Sequence, residues 1–469
     1  MTSQRWKLCV MMFLEFFIWG AWFPLIFGYL PSLGFNAQWQ QPLILVAFNL
    51  AAITAMFFST QYADRHFAAE KFLAFSQVIG GLAMLGLFWV KKGWTYEVAG
   101  WDIDVTFIAF FALMLLHSLF YVPTISITNS IAFAHLRDPQ REFGPVRLWG
   151  TIGWIAAAWP MAFILTDWVK VPEFGSVPFF QWLGDALGTS KTGADFRLAS
   201  SYTFVVAGVA SLVLAVFSLS LPPTPPKPAQ HAEDKLAWLE ASKYLAKPFV
   251  LVLFIVTFLD AAVHQYYFVW VERYLTSEQV GIPAKWAMPV ISISQVAEIA
   301  TMAFLGYVLK NLGWRYTMLV GVLGHAARFT VFAFFPDPWV AASINVLHGI
   351  CYAFFFATVY IFVDEFFPKD ARASAQGLFN LLILGLGPIA ANFGAPWLGE
   401  LFTEPDYLQG LPFPDWWWEV FKKPEPVIDF RSLFLVPASV ALGAALFLLL
   451  FFHPPARAEA AAEKVEVAP

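Results

Sequence analysis

Runs of about twenty apolar residues recur from one end of the chain to the other, and they constrain the fold more than any other feature. A bilayer core takes about 20 apolar residues per helix. Inside lipid every backbone polar group must be satisfied within the spanning element itself, so such runs read as helices. The composition agrees. Only 13% of the 469 residues are charged and 59% are hydrophobic, against a usual charged share of about 25% for soluble domains. The chain reads as an all-α polytopic membrane protein.

Length and hydropathy give twelve spans. The first six are Cys9–Leu30, Gln41–Thr60, Phe72–Val90, Thr106–Thr128, Arg147–Leu165 and Ser200–Leu221. The second six are Phe249–Val271, Ala287–Leu309, Tyr316–Phe335, Val340–Phe362, Ala373–Phe393 and Leu433–Phe452. The first run is too long for the apolar core of a signal peptide and has no small-residue cleavage pattern, so it reads as a retained helix. Four regions follow: a six-helix bundle over 1–221, a linker over 222–248, a second bundle over 249–453 and a disordered tail over 454–469. The linker opens on a proline cluster that no helix can continue. It then carries Leu236, Leu239 and Leu245 at helical spacing, which predicts a short surface helix. With both termini in the cytoplasm, about 17 Lys and Arg fall inside and about 10 outside, the bias expected of cytoplasmic loops. Two long outer loops, 167–197 and 400–431, are rich in aromatics, among them Trp416, Trp417 and Trp418. They read as interfacial anchors, with a lid over the mouth as the alternative. Cys9 and Cys351 match no metal or redox spacing, and no disulfide is expected.

A weak repeat relates the halves. "TQYADRHFAA" follows the second span and "GYVLKNLGWR" the eighth, while "VRLWGTIG" opens the fifth and "ARASAQG" the eleventh. Each second member lies about half a chain after the first, as parallel repeats require. The loop residues Asp64, Arg65, Lys310 and Arg315 are candidates for a cytoplasmic gate or for capping helix ends.

Ionisable residues at membrane depth are functional candidates, because a charge there costs roughly 2.5–3.5 kcal/mol on insertion scales. The candidates are Glu15 (span 1), Arg147 with Thr151 and Trp154 (span 5), and Asp260, His264 and Gln265 (span 7). Gln295 and Glu298 (span 8), His325 and Arg328 (span 9), and His348 and Tyr352 (span 10) complete the set. Gln295 and Glu298 share a helix face, as do Arg147, Thr151 and Trp154. Asp260 and His264 are four apart and could pair directly. Glu298 reads as a proton carrier or as the partner of Arg147 or Arg328, with a structural ion pair as the plain alternative. His325 reads as a helix-packing residue. No nucleotide loop, dinucleotide fingerprint, zinc spacing or nucleophile–base constellation is present. The expectation is therefore a non-enzyme with no metal, cofactor or nucleic acid partner, energised by an ion gradient.

The 6+6 layout and inner-loop repeats resemble the major facilitator superfamily. More narrowly, "FLEFFIWGAW", "YVPTISITNSI", "VRLWGTIGWI", "SISQVAEI", "ARFTVFAF" and "ARASAQG" resemble its nucleoside–proton symporter family. The resemblance implies a major facilitator fold and proton-coupled nucleoside import across a cytoplasmic (inner) membrane by a monomer, by alternating access. It implies a substrate pocket of Arg147, Thr151, Trp154, Gln265, Gln295 and Glu298, with His348 and Tyr352 at two further family positions. Amides suit a base edge or ribose hydroxyls, and an aromatic suits stacking on the base. Departures are specific. A second amide of span 7 is Phe268 here, the span 10 aspartate is Ala353, a span 1 glutamine is Glu15, and the glycine of the first loop motif is Thr60. Glu15 or His348 is the expected stand-in for that aspartate in proton coupling, with Glu298 central. A proton-linked sugar or glycoside carrier is the alternative within the class, and a non-transporting receptor of the same fold the alternative outside it.

Overall fold

In the computed structural model, described over residues 3–55, 66–98, 101–226, 243–367, 372–403 and 428–454, helices dominate and the one sheet is a two-stranded hairpin. Helices α1 (Ser3–Tyr29), α2 (Gln40–Thr54) and α3 (Ala69–Phe88) come first. The hairpin of β1 (Thr95–Val98) and β2 (Trp101–Asp104) leads into α4 (Val105–His135). Asp104 caps α4 by accepting from the Phe107 amide at 3.0 Å, satisfying one of the orphan donors of a helix start. Next are α5 (Pro139–Ala156), α6 (Ala158–Ile164), α7 (Phe179–Gly188), α8 (Gly193–Ser200) and α9 (Tyr202–Ser218).

The second half holds α10 (Pro248–Leu275) and α11 (Ala287–Phe334). Then come α12 (Pro338–Ser343), α13 (Val346–Cys351), a π-helical turn at Tyr352–Ala357 and α14 (Thr358–Phe366). The last pass but one runs through α15 (Arg372–Asn380), a second π turn at Leu381–Leu386 and α16 (Gly387–Leu401). Helix α17 (Phe430–Phe451) closes the set.

Among the described residues nine helices are long and apolar enough to cross a membrane. The expected twelve passes are reached by adding α2, the interrupted α5–α6 and a division of α11. That division is real geometry: Gly313 sits at φ 69°, ψ −179°, outside the helical region, so the 48 residues form two helices joined at a glycine. Hydropathy had separated the same two spans.

Other boundaries differ from expectation. The fifth pass begins at Pro139, not at Arg147. Proline tolerates the first turn, where no N–H is needed, so polar residues before Arg147 are helical too. The eleventh pass continues to Leu401, beyond Phe393. The loop over 167–197 is not irregular throughout, since it carries α7 and the start of α8. Of the expected linker helix, only 243–246 is described, with a single 3-10 turn at Tyr244–Ala246. Asp64, Arg65, Thr60 and Trp416 to Trp418 lie outside the described residues.

Small residues let helices approach closely. A Cβ at Gly153 of α5 would lie 2.1 Å from the Phe13 carbonyl oxygen of α1, so these two backbones touch. That contact fixes the α5 face carrying Arg147 and Trp154 against α1.

The two halves are joined by hydrogen bonds on the face that carries α7. Arg273 of α10 donates to the Phe27 carbonyl of α1 at 2.5 Å. Lys285 reaches the Ala186 carbonyl at 2.5 Å, and the Trp286 indole donates to Leu187 at 3.0 Å. Charged donors on backbone carbonyls are the stronger kind of hydrogen bond, so this face is latched shut.

Candidate functional site

Arg147 projects from α5 into the seam between the halves. Its guanidinium lies 3.8 Å from the centre of the Phe16 ring, a cation–π contact. From there it couples electrostatically to Glu298 on α11, to Tyr352 on the π turn after α13, and to Tyr121 on α4. One cation of the first half thus faces a carboxylate and a phenol of the second. The expectation that Glu298 pairs directly with Arg147 needs correction. No ion pair joins them, because Arg147 stacks on Phe16 and the two charges act across a gap.

Glu298 is held by backbone contact. A Cβ at Gly349 of α13 would lie 2.2 Å from the Glu298 amide nitrogen. Only glycine permits that approach, so α13 and the first part of α11 are packed backbone to backbone. Beside Glu298 on the same face, Gln295 is buried and accepts from the Ser294 hydroxyl at 2.9 Å.

An aromatic wall lies next to the charges. Trp154 meets Trp19 edge-on at 5.3 Å and Phe23 at 6.2 Å. Trp19 stacks on Phe48 at 5.0 Å. Phe23 reaches across the seam to Phe268 at 5.2 Å. Thr151, one turn before Trp154, is half-buried.

Gln265 belongs to a relay of amides that sequence reasoning missed. It donates to Asn392 at 2.9 Å, Asn392 donates to Asn49 at 2.9 Å, and Asn49 donates to the Leu384 carbonyl at 2.9 Å. The relay crosses from α10 and α16 to α2. Lone asparagines in apolar spans gave no spacing signal, although each was a polar residue at membrane depth.

Glu15 points away from this seam, into the first half. Its carboxylate accepts from Thr124 at 2.7 Å and from Gln77 at 3.0 Å, and it is fully buried. Ser211 completes the cage by donating to Gln77 at 2.5 Å. Gln77 and Thr124 were not singled out in the sequence.

His348 is buried in the second half. It neighbours His264 at 4.5 Å and Tyr267 at 4.8 Å between ring centres, and it hydrogen-bonds to Arg328. The expected Asp260–His264 pairing is replaced by another. Asp260 pairs with His325 of α11 at 2.8 Å, across helices, although spacing along α10 had suggested an internal pair. Lys310 and Arg315 flank the Gly313 break in the middle of α11. Lys310 is exposed and Arg315 donates to the Leu449 carbonyl. Among the described residues no group of three or more His, Cys, Asp and Glu is arranged to hold a metal ion.

The sequence profile of the nucleoside H+ symporter family matches residues 2–457. The chain is 33% identical over 417 residues to the putative nucleoside transporter YegT of Escherichia coli (strain K12), covering 87% of each protein. It is 25% identical to the xanthosine permease of the same strain, over 96% of this chain and 95% of that one. The crystal structure of nucleoside transporter NupG superposes with a TM-score of 0.73 at 21% identity, covering 97% of this chain and all of the other.

Proposed function

The chain belongs to the nucleoside H+ symporter family, and on that premise we propose that it imports nucleosides together with protons by alternating access. It is a multi-pass membrane protein with the major facilitator fold. We assign it to the cytoplasmic membrane with both termini inside, acting as a monomer that moves its substrate unchanged. On that orientation the α7 face is the outer one.

One observation carries the reading: Arg147 and Glu298 face each other from different halves, beside an aromatic wall built from both. A solute in the gap would touch both halves at once, which is what alternating access requires of a site near the midplane. Trp154 offers a face for a base, and Gln265 and Gln295 offer amides for a base edge or ribose. Thr151, His348 and Tyr352 line the same region in this proposal. Glu298 has three tasks available: ribose hydroxyls, the Arg147 charge and a proton. It can serve them in turn, which links substrate to proton. Glu15, in its neutral cage, is a second proton-coupling candidate. Lys310 and Arg315, with Asp64 and Arg65, are proposed for the inner gate.

Competition for uptake tests the substrate class. Labelled uridine uptake should be displaced by adenosine and not by a disaccharide. Displacement by the disaccharide alone would overturn the nucleoside assignment and favour a glycoside carrier.

A further inference from the structure

Behind α13 lies a second polar cluster, of which the proposed transport site takes only His348. Asp260, His325 and Arg328 are wholly buried and His348 nearly so. His264 sits among them, 4.5 Å from the His348 ring and 5.7 Å from the His325 ring. We infer that this Asp260–His325–His264–His348–Arg328 cluster is a proton-holding site that drives the movement of α13. The inference rests on the proposed symport.

The geometry assigns the protons. Arg328 has only donors, so the His348 Nδ1 that it contacts must be an acceptor, and any proton on that ring sits on Nε2. An ionised Asp260 accepts, so His325 Nδ1 carries a proton. That leaves His325 Nε2 and His264 Nδ1 without partners, together with Asp260 Oδ2 and Arg328 Nε and Nη2. Buried polar groups are normally satisfied. A cluster built only to neutralise Asp260 against Arg328 would not need three histidines or leave two ring nitrogens open.

With Asp260 ionised, Arg328 charged and the histidines neutral, the cluster carries no net charge. One added proton, bound to the Nε2 lone pair of His325, makes it +1. In a low-dielectric interior such a change acts strongly on its neighbours. Among the described residues the following groups face it. From α10 they are Asp260, His264 and Tyr267, and the Tyr267 hydroxyl donates to Asn345 at 2.6 Å. From α11 they are His325 and Arg328, with Arg328 also 4.0 Å from the Tyr267 ring centre. From α13 and the π turn they are His348, Cys351 and Tyr352, with Cys351 close enough to His325 to act on it electrostatically. Helix α17 brings apolar Phe434 against Phe329 and Tyr274.

The path to the transport site is short. His348 faces the cluster, the next residue is Gly349 against the Glu298 backbone, and Tyr352 one turn on couples to Arg147 and Glu298. The helix changes to π geometry at Tyr352. Such bulges concentrate at functional sites. A charge appearing behind α13 therefore acts on the segment that positions Glu298.

The test uses purified protein in liposomes, with uridine exchange at equal pH and uridine accumulation under a pH gradient. His325→Gln keeps a donor for Asp260 and removes the titratable ring. The double variant Asp260→Asn/Arg328→Gln removes both charges together. The expected result for each is retained exchange, with accumulation under a one-unit gradient falling from about tenfold to about one. If the double variant accumulates like wild type, the pair is only structural and the inference fails. Loss of exchange in folded variants would put the cluster in substrate binding and equally overturn it. Wild-type liposomes that exchange neither uridine nor adenosine would refute the nucleoside reading instead. In that event proton binding by the purified protein, titrated over roughly pH 5 to 10, decides the cluster. Wild type should bind one proton more than His325→Gln, and identical curves would refute it.

Discussion

Replacing Gly349 by alanine sets two effects of opposite sign against each other. Alanine is favoured over glycine inside a helix by about 1 kcal/mol. At Gly349 the new Cβ would lie 2.2 Å from the Glu298 amide nitrogen and 2.6 Å from the Ala297 carbonyl carbon. Both are backbone atoms, so no side chain can swing aside. Carbon contacts are comfortable near 3.5 Å, so α13 and α11 must part by roughly 1 Å. Overpacking of this kind costs about 1–3 kcal/mol, and backbone opposition points to the upper end, so sterics win over propensity. The functional loss should exceed the loss of stability. Glu298 rides on the displaced backbone, and a shift of about 1 Å in a positioned group can cost as much as 100-fold in rate. Initial rates of uridine uptake in liposomes, paired with thermal melts in detergent, measure both. Gly394→Ala in α16, where nothing lies within 4 Å, serves as the control and should melt no lower than wild type. Uptake by Gly349→Ala equal to wild type, with an unchanged melt, would refute the positioning of Glu298 by α13.

Other expectations are as direct. Trp154→Ala should raise the KM for nucleosides by about tenfold or more, since stacking on a base is worth roughly 1–3 kcal/mol; an unchanged KM would remove Trp154 from the pocket. Asn392→Ala leaves Gln265 and Asn49 short of partners, at about 1–3 kcal/mol for a buried unsatisfied group. Because that relay joins α2 to α10 and α16, the loss should favour opening of the latched face. Labelling from the α7 side of a cysteine put in place of Ser190, whose hydroxyl accepts from the Lys285 amide at 3.3 Å, should speed up, and unaltered labelling would count against the relay as a latch.

The fold was legible because a spanning helix announces itself by length. Even the join between the eighth and ninth spans could be read, since Gly313 sits among polar residues between two apolar runs. Helix starts were less legible. Pro139 and Arg141 look like loop residues by hydropathy, yet helical geometry tolerates them at the first turn. Individual polar residues at depth stood out for the same energetic reason that makes them rare. Their partners did not. Spacing reports which residues share a face of one helix, so Asp260 suggested His264. The observed partner is His325, which only the packing of α10 on α11 brings near. Glu15 was visible and its cage of Gln77 and Thr124 was not, because neutral polar residues in spans are common and carry no period. Asn49 and Asn392 were overlooked for that reason, although their link joins the two halves.

The most direct measurement is accumulation of labelled uridine and adenosine by cells lacking their own nucleoside carriers, with and without a protonophore, for wild type and Glu298→Gln. Wild type should accumulate substrate in a protonophore-sensitive way, and Glu298→Gln should reach the membrane yet accumulate none. Normal accumulation by Glu298→Gln would contradict the central role given to that carboxylate.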